Sequence, residues 1–254
     1  MQFHNSLLLN FPSIGLNEID QVKLMDRVDT KYAFTVENLN LILPKLTQEY
    51  SILEIDGVRL PTYKSLYFDD DKFTFYADHH KGKSSRFKVR IRNYVESGLF
   101  FLEIKHKWKG RVKKRRMRVD GFQKSMENEH KTFVEKYIPH LKEIAPTLLN
   151  EYNRITLVNI ERQERLTLDF NLKFEWTDKR KDFDSLVIAE LKQPRLDRNS
   201  FFNVTMRKMG IRPYRLSKYC IGTLELYNEK EVKHNFFKEK LLKLEKINEG
   251  SNKQ

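Results

Sequence analysis

Charged side chains alternate with apolar ones in several strand-like runs, and these charged residues are the best suited to chemistry. In residues 86–95, Lys88, Arg90 and Arg92 occupy one face, because side chains in a strand alternate between its two faces. Apolar residues occupy the other face. The same alternation, with a carboxylate among the charges, occurs in four further runs: 27–31, 101–107, 165–169 and 186–192.

Faces of this composition are suited to holding phosphate groups. Guanidinium groups bind phosphate oxygens with two parallel hydrogen bonds, and ammonium groups add point charge. A carboxylate among them would hold a divalent cation, which bridges phosphates in phosphoryl transfer. For a single strand, the simpler interpretation is the solvated face of an antiparallel sheet. Several such strands favour a closed barrel whose charged interior holds water, a metal and a polyanion.

The positive charge of the chain is concentrated in one segment. The 254 residues include 48 Lys and Arg against 35 Asp and Glu, a formal net charge of +13. Residues 81–118 contain 15 of these basic residues and only two acids, Glu96 and Glu103, so this segment carries the whole excess. Its partner should be a dense anion: phosphate, polyphosphate, nucleic acid or a membrane surface.

Composition excludes several classes of protein. No apolar run approaches the roughly 18 residues that a membrane helix needs, and the N-terminus lacks the basic region of a signal peptide. The single cysteine, Cys220, excludes an internal disulfide and a cysteine-based zinc site, so a cytoplasmic location is expected. The sequence contains no Walker motif and no Ser-His-Asp or Cys-His signature.

Many strands and a few helices would position these charges. The pattern predicts an α+β protein, an antiparallel sheet or barrel with packed helices. No linker-like segment interrupts it, so we expect one domain over 1–254, in which 235–254 form an amphipathic C-terminal helix and tail. Helices are predicted over 36–49 (with Thr35 as N-cap), 127–150, 199–209 and 235–248, and strands over most of the remainder, including 63–69, 72–77 and 153–161.

Nine short motifs, in order along the chain, resemble the VTC domain. This is the polyphosphate polymerase domain, a relative of the CYTH and triphosphate tunnel metalloenzymes. The motifs cover about residues 20–225 and are RVDTKY (27–32), YFD (67–69), RFKVRIRNY (86–94), FLEIKHK (101–107), the basic run 111–118, YNR (152–154), ERLTLD (164–169), IAELK (188–192) and RLSKY (215–219).

The resemblance implies an antiparallel β-barrel tunnel with a charged lumen and flanking helices. It also implies Mn²⁺ or Mg²⁺ bound by Glu190, while Glu103 is either a second metal ligand or an ion-pair partner of lumen lysines. The residues that it assigns to catalysis are Lys31, Arg90, Arg92, Lys105, Arg154 and Arg165. Those assigned to substrate binding are Lys88, Lys113, Lys114, Arg115 and Lys218, with the register between Lys113 and Lys114 open by one.

The activity implied is transfer of the γ-phosphate of ATP to the end of an inorganic polyphosphate chain, with release of ADP. Because the terminal oxygen of the acceptor is the nucleophile, no nucleophilic side chain is required. A metal-dependent triphosphatase of the CYTH type is the first alternative, but the ExExK strand of those enzymes corresponds here to RVDTK (27–31), with one acid. A non-catalytic binder of polyphosphate or nucleic acid is the second.

ATP and inorganic polyphosphate are therefore the expected partners, and nucleic acid is not expected. Whether a protein partner is needed stays open. The sequence has no counterpart of the inositol-phosphate-sensing domain or the transmembrane segments of the eukaryotic members. We therefore expect neither regulation by inositol phosphates nor coupling to translocation.

Overall fold

Strands dominate the chain because apolar and charged residues alternate over long runs, which lets each strand bury one face. A computed structural model describes residues 2–19, 22, 27–109, 111–126, 128–138, 141 and 143–250. The strands are β1 (Ser13–Ile14), β2 (Val28–Thr35), β3 (Ser51–Leu53), β4 (Thr62–Asp69), β5 (Ser85–Tyr94), β6 (Leu99–Trp108), β7 (Arg111–Val119), β8 (Ala145–Asn159), β9 (Glu164–Trp176), β10 (Lys179–Phe183) and β11 (Leu186–Gln193). The helices are α1 (Leu16–Ile19), α2 (Val36–Leu46), α3 (Thr74–His80), α4 (Asn128–Tyr137), α5 (Phe201–Lys208), α6 (Lys218–Leu226) and α7 (Lys238–Asn248), with 3-10 helices at Asn5–Asn10 and Val95–Ser97.

Eight of the strands form one antiparallel path in the order β2-β11-β9-β8-β4-β5-β6-β7. Strand β10 adds to β9, and β3 pairs with β8 and, in parallel, with β1. Within the described ranges, β2 and β7 each pair on one side only, so strand pairing does not close the sheet. The predicted α+β class is confirmed, in the form of a curled antiparallel half-barrel with flanking helices.

The chain segment 211–217 covers the free edge of β2. The backbone N–H of Tyr214 donates to the carbonyl oxygen of Lys31 at 2.6 Å. At the end of the segment, the Ser217 Oγ accepts a hydrogen bond from Lys88 Nζ of β5 at 2.8 Å. This segment therefore links two strands that lie far apart along the sheet path, and it forms the seam of the curled sheet.

The apolar faces of the strands point outward onto helices. On one half of the sheet, the outer faces of β2, β8, β9 and β11 share a core with α2 and α5. On the other half, Val89 and Ile91 of β5 and Leu102 and Ile104 of β6 are completely buried against α3 and α4. Burial of such side chains contributes about 1.5–3 kcal/mol each. The opposite, charged faces of the same strands are consequently turned inward.

Helix α6 lies inside the curled sheet, where it fills one end of the interior. The Tyr219 ring stacks on the inward-facing ring of Tyr67, with 5.0 Å between the ring centroids. Gly222 lies against Leu148 of β8 and Phe174 of β9, and there is no room for a larger residue. The interior is therefore apolar and filled at this end, and the charged rows occupy the other end.

Two predicted elements are wrong. Residues 72–77, predicted as a strand, belong largely to α3, because Asp69 and Asp70 accept hydrogen bonds from the backbone N–H groups of Phe75 and Thr74, each at 2.8 Å. Such bonds to the first N–H groups of a helix start it.

The second error is the single helix predicted over 127–150. Helix α4 ends at Tyr137, and β8 begins at Ala145, where pairing with β4 replaces the helix. Residues 127, 139, 140 and 142 of that prediction, and 251–254 of the predicted tail, lie outside the described residues. The Thr35 cap is confirmed, since its hydroxyl accepts from the Asn38 N–H at 3.2 Å, and the C-terminal helix begins at Lys238.

None of the helices in the described ranges has the length and apolar composition that crossing a membrane requires.

The position of Gly222 yields a test of how α6 is packed. A Cβ atom at this position would lie 2.9 Å from both terminal carbons of Leu148 and closer still to the Phe174 ring. Although alanine favours a helix over glycine, we expect Gly222→Ala to lower the free energy of unfolding by about 1–3 kcal/mol because of overpacking. Urea unfolding followed by circular dichroism measures this change.

Gly121→Ala is the matched control, because a Cβ atom there would meet nothing within 4 Å. An unfolding midpoint of Gly222→Ala equal to that of the wild type would contradict the placement of α6 inside the sheet.

Candidate functional site

Inward-facing rows of the sheet bring most of the predicted residues together at the open end of the interior. Residues that are paired across antiparallel neighbours share a face, so the sheet register defines these rows. The rows are Arg90-Glu103-Arg116, Lys88-Lys105-Lys114, Arg154-Asp169, Lys31-Glu190-Thr167 and Asp29-Lys192-Arg165.

Glu103 is held between two cations from neighbouring strands. The Arg90 guanidinium donates to the Glu103 Oε2 atom through Nε (2.9 Å) and Nη2 (2.7 Å), and Lys114 Nζ forms an ion pair with Oε1. Arg90 Nη1 also donates to the Tyr67 hydroxyl at 3.2 Å. Burial alone would raise the pKa of Glu103, but Arg90 and its neighbours hold that pKa well below its usual range. Glu103 is thus ion-paired, while its role as a metal ligand stays a prediction.

Asp169 is also held between two cations, one from a strand and one from α6. Arg154 donates to both of its carboxylate oxygens, at 2.6 and 2.8 Å, and Lys218 Nζ ion-pairs with Oδ2. The Lys218 ammonium lies over the Tyr152 ring, 4.6 Å from its centroid. Burial opposes ionisation of Asp169, yet Arg154 and Lys218 hold the pKa of Asp169 well below its usual range. Helix α6 thereby brings its first residue into the charged end of the interior.

Glu190 is the third carboxylate in this arrangement. Lys31 Nζ lies 2.8 Å from its Oε1 atom, and Lys192 Nζ lies 2.6 Å from its Oε2 atom. Burial alone would raise the pKa of Glu190, but the two lysines hold it well below the usual range. Burial acts in the opposite direction on Lys31, yet Glu190 keeps the pKa of Lys31 above its ordinary value. Lys31 is therefore charged at neutral pH when no anion is bound, whereas burial lowers the pKa of Lys192 in spite of its pair with Glu190.

Two inward lysines have no carboxylate partner among the described residues. Burial lowers the pKa of Lys105 to about 7; Glu190 acts to raise this pKa, while Lys31 and Lys88 act to lower it. Burial and the neighbouring cations lower the pKa of Lys88 to about 8, and its ammonium donates to the Ser217 hydroxyl at 2.8 Å. A bound polyanion would provide the negative charge that both ammonium groups lack.

Tyrosines complete the wall around the arginines. Arg92 donates to the Tyr152 hydroxyl at 2.9 Å and to Ser65 Oγ at 3.4 Å. The guanidinium carbons of Arg92 and Arg154 lie 5.4 and 4.9 Å from the centroid of the Tyr63 ring. Because guanidinium groups stack on aromatic faces, these rings fix the arginines while their remaining N–H groups can reach a ligand.

Lys113 and Arg115 do not join the site. Lys114 pairs with Lys105 in register and faces inward, so its two neighbours face outward. The Arg115 guanidinium lies over the ring of Tyr137 in α4, 5.6 Å from its centroid. This corrects the predicted role of Lys113 and Arg115 in substrate binding within the lumen, and it settles the register at Lys114. Arg165, which the sequence also assigned to the site, faces inward beside Lys192. It donates to the carbonyl oxygen of Val22 at 3.3 Å.

Sequence reasoning missed several inward residues as parts of the site: Asp169, Lys192, Tyr63, Tyr67 and Tyr152. Period-two spacing from Glu190 was a sufficient signal for Lys192. For Asp169, the signal was its position two residues after Thr167 on the Arg165 face, but its partner Arg154 lies on another strand and follows only from the register.

The carboxylates fit a divalent cation that arrives with phosphate groups, and they do not form a metal site by themselves. Across the described ranges, no group of three His, Cys, Asp or Glu side chains is arranged to hold a metal ion. Mg²⁺ is usually bound by one or two carboxylates together with substrate phosphates and water. Glu190 suits that role, because phosphates that pair with Lys31 and Lys192 would release its oxygens for a cation.

Solved structures with a similar fold come from several organisms. HpAC1 from Hippeastrum, a protein with a dominant triphosphatase activity, superposes with a TM-score of 0.51 at 13% identity, over 79% of this chain and 98% of that chain. A Bacillus halodurans protein named as an adenylate cyclase gives 0.47 at 11% identity, over 75% and 93% of the two chains. One from Vibrio parahaemolyticus with the same designation gives 0.44 at 14%, over 75% and 94%. At these identities the likeness to HpAC1 establishes the fold only.

The family assignment rests on the amino-acid sequence. No curated protein matches it significantly. The family model of the VTC domain matches residues 26–227, a range that includes every strand and helix with an inward-facing charge described above. The chain therefore belongs to the VTC domain family.

Proposed function

We propose that this protein is an ATP-dependent polyphosphate polymerase, which extends inorganic polyphosphate by one phosphate and releases ADP. The observation that carries the proposal is the pairing of the inward carboxylates. Among the inward carboxylates, Glu103, Asp169 and Glu190 are each held between two cations and Asp29 pairs with Arg27, while Lys88 and Lys105 have no carboxylate partner in the described part of the chain. Such a site has excess positive charge for a phosphate chain, and its acids are not grouped to hold two metal ions.

Binding of the triphosphate would be the task of cations from both halves of the curled sheet. Arg90 and Arg92 have guanidinium groups fixed by tyrosines, and they are suited to bidentate contacts with phosphate oxygens. Lys88 and Lys105 would add charge beside them, and Lys218 would contribute from α6. Because these groups are already in place without a ligand, little reorganisation is needed when the triphosphate binds.

The transfer step requires positioning and charge neutralisation. A terminal oxygen of the polyphosphate acceptor forms a bond to the γ-phosphorus of ATP as the bond from that phosphorus to the β–γ bridging oxygen breaks. The bridging oxygen leaves with the electron pair as part of ADP. The arginines and lysines of the site would hold acceptor and donor in line and stabilise the charge on the transferred group. A Mn²⁺ or Mg²⁺ ion held by Glu190 and phosphate oxygens would neutralise further charge on that group.

A metal-dependent triphosphatase is the second candidate. The similarity in fold to HpAC1, with its dominant triphosphatase activity, is the observation that favours it. The two candidates differ only in the acceptor, since water replaces the polyphosphate end in the hydrolase.

Product analysis separates the candidates. We expect purified protein, incubated with ATP and Mn²⁺ in the presence and absence of a short polyphosphate primer, to produce a polyphosphate ladder on a gel with one ADP per phosphate added. Free phosphate without a ladder, or breakdown of tripolyphosphate, would identify a triphosphatase. Absence of turnover, with polyphosphate binding retained, would refute catalysis by the isolated protein and leave a binding module or an enzyme that needs a protein partner.

Replacement of Glu190 separates catalysis from binding. We expect Glu190→Gln to reduce kcat by about 100-fold or more, because the carboxylate that would hold the cation is lost. Tripolyphosphate should bind as tightly as before or more tightly, because Lys31 and Lys192 lose a competing anion. Steady-state kinetics and calorimetry measure the two effects.

Glu151→Gln is the matched control, because Glu151 also pairs with two lysines, Lys64 and Lys173, at 3.0 and 3.2 Å. It neighbours the inward-facing Tyr152 on β8 and therefore faces outward. Equal kcat values for Glu190→Gln and Glu151→Gln would contradict a catalytic role of Glu190.

The lowered pKa of Lys88 makes phosphate binding pH-dependent. Above about pH 8, the unliganded protein loses the charge of this ammonium, so tripolyphosphate binding by the wild type should weaken as pH rises from 7 to 9. One lost proton weakens binding by up to about tenfold per pH unit above that pKa. Lys88→Arg stays charged and should show a shallower decline in calorimetric titrations.

Lys83→Arg controls for the chemical change, since Lys83 is exposed and ion-pairs with Asp78. If Lys88→Arg and Lys83→Arg give the same pH profile as the wild type, Lys88 does not contact the phosphate chain.

A further inference from the structure

Basic side chains continue from the sheet interior onto the exposed outer side of the β6–β7 hairpin. We call this outer set the hairpin patch and define it as Lys109, Arg111, Lys113 and Arg115, which are all exposed. The inward row of the same strand contains further cations, among them Lys114 and Arg116. Strand β7 therefore presents positive charge on both faces, and its outer edge has no partner strand in the described part of the sheet.

In the part of the chain that the structure describes, no acid forms an ion pair with the hairpin patch. Within the described part of segment 81–118, the basic residues in ion pairs are Lys83, Arg90 and Lys114. The four patch residues are not among them. Uncompensated like charges repel one another, and a bound polyanion removes that repulsion. The patch thus has the electrostatic character of a polyanion site.

The aromatic rings beside the patch argue against nucleic acid as the polyanion. Proteins that bind single-stranded nucleic acid stack bases on free aromatic faces. Here Lys109 covers the Trp108 ring at 5.1 Å from the centroid, and Arg115 covers the Tyr137 ring at 5.6 Å. A base would have to displace these cations, whereas a chain of phosphates without bases needs only the cations.

The spacing of the patch suits a linear anion. Residues on one face of a strand recur about every 6.8 Å, so Arg111, Lys113 and Arg115 form a straight row of about 14 Å. The row begins at the end of β7 that adjoins Lys107, which faces inward; burial and Arg86 lower the pKa of Lys107, and Asp29 and Lys31 of the charged interior also act on it. A phosphate chain that leaves this end would pass the free edge of β7 and meet the row.

We propose that the hairpin patch binds the part of an inorganic polyphosphate chain that extends outside the sheet interior. The identity of the chain rests on the proposed function, but the binding itself is separate from turnover. The interior binds a short phosphate chain, and the patch adds affinity only for chains long enough to reach it. The affinity of the protein for polyphosphate should therefore depend on the length of the polyphosphate chain.

The test compares two double variants by calorimetric titration with tripolyphosphate and with long-chain inorganic polyphosphate at low salt. Arg111→Gln combined with Lys113→Gln removes two charges from the patch. Lys208→Gln combined with Arg212→Gln removes the same two residue types from exposed positions in and after α5. Thermal unfolding of each variant checks that the fold is retained.

For the patch variant we expect the Kd for long-chain polyphosphate to rise about tenfold, with a smaller dependence of log Kd on log salt concentration, because fewer counterions are released. The Kd for tripolyphosphate should be unchanged in both variants, and the control variant should bind long chains like the wild type. Equal Kd values of the wild type for the two ligands, expressed per chain end, would overturn the proposal. Equal weakening for both ligands in the patch variant would also overturn it.

Two further outcomes are informative. If single-stranded RNA with the same number of phosphates binds as tightly as polyphosphate and is equally weakened in the patch variant, the patch serves nucleic acid and the proposal is wrong. If length-dependent binding is lost in the patch variant but the wild type forms no polyphosphate from ATP, polyphosphate binding by the patch is supported and the proposed polymerase activity is refuted. The failure of one proposal is therefore distinguishable from the failure of the other.

Discussion

Compensation of buried charge is the constraint on which this structure depends. Ionised groups taken out of water are costly unless they are paired, and removing one partner of a buried pair is strongly destabilising. Glu103, Asp169 and Glu190 satisfy this constraint by standing between cations that come from different strands or from α6. These carboxylates hold the cations in place without a ligand. Under the proposed function, they would compete with phosphate oxygens for the same cations.

An interior of this kind reverses the usual arrangement of a sheet. Because the inward faces are charged, the apolar faces point outward and need helices to cover them, which α2 and α5 do on one half and α3 and α4 on the other. Helix α6 is the exception, because it lies inside and meets the apolar end of the same inward faces. The position of Lys218 at the start of α6 follows from that arrangement, and so does the absence of a side chain at Gly222.

The alternation of side chains along the strands predicted most residues of the site, but it did not predict the ion pairs between them. Alternation alone placed Arg90, Lys105 and Glu190 on inward faces, and each faces inward. It could not choose between Lys113 and Lys114. Basic residues occupy both faces of β7, so the alternation does not show which face points inward. The ion pairs depend on the register between strands that are distant in sequence. The wrong strand at 72–77 has a local cause, since two aspartates at the end of β4 start a helix where the side chains alone suggest β-structure.

The seam of the curled sheet has a consequence for how this sequence can diverge. The hydrogen bond from Tyr214 to Lys31 uses only main-chain atoms, so at position 214 every amino acid except proline retains the donor. The Tyr214 side chain is constrained separately, because its hydroxyl donates to the carbonyl oxygen of Lys240 at 3.3 Å and its ring packs against the core. Ser217 and Lys218, a few residues later, also act through their side chains, and these reach the charged interior. Replacements at position 214 should therefore change the packing of α7 while the edge of β2 stays covered, whereas replacements at Ser217 and Lys218 should change the interior itself.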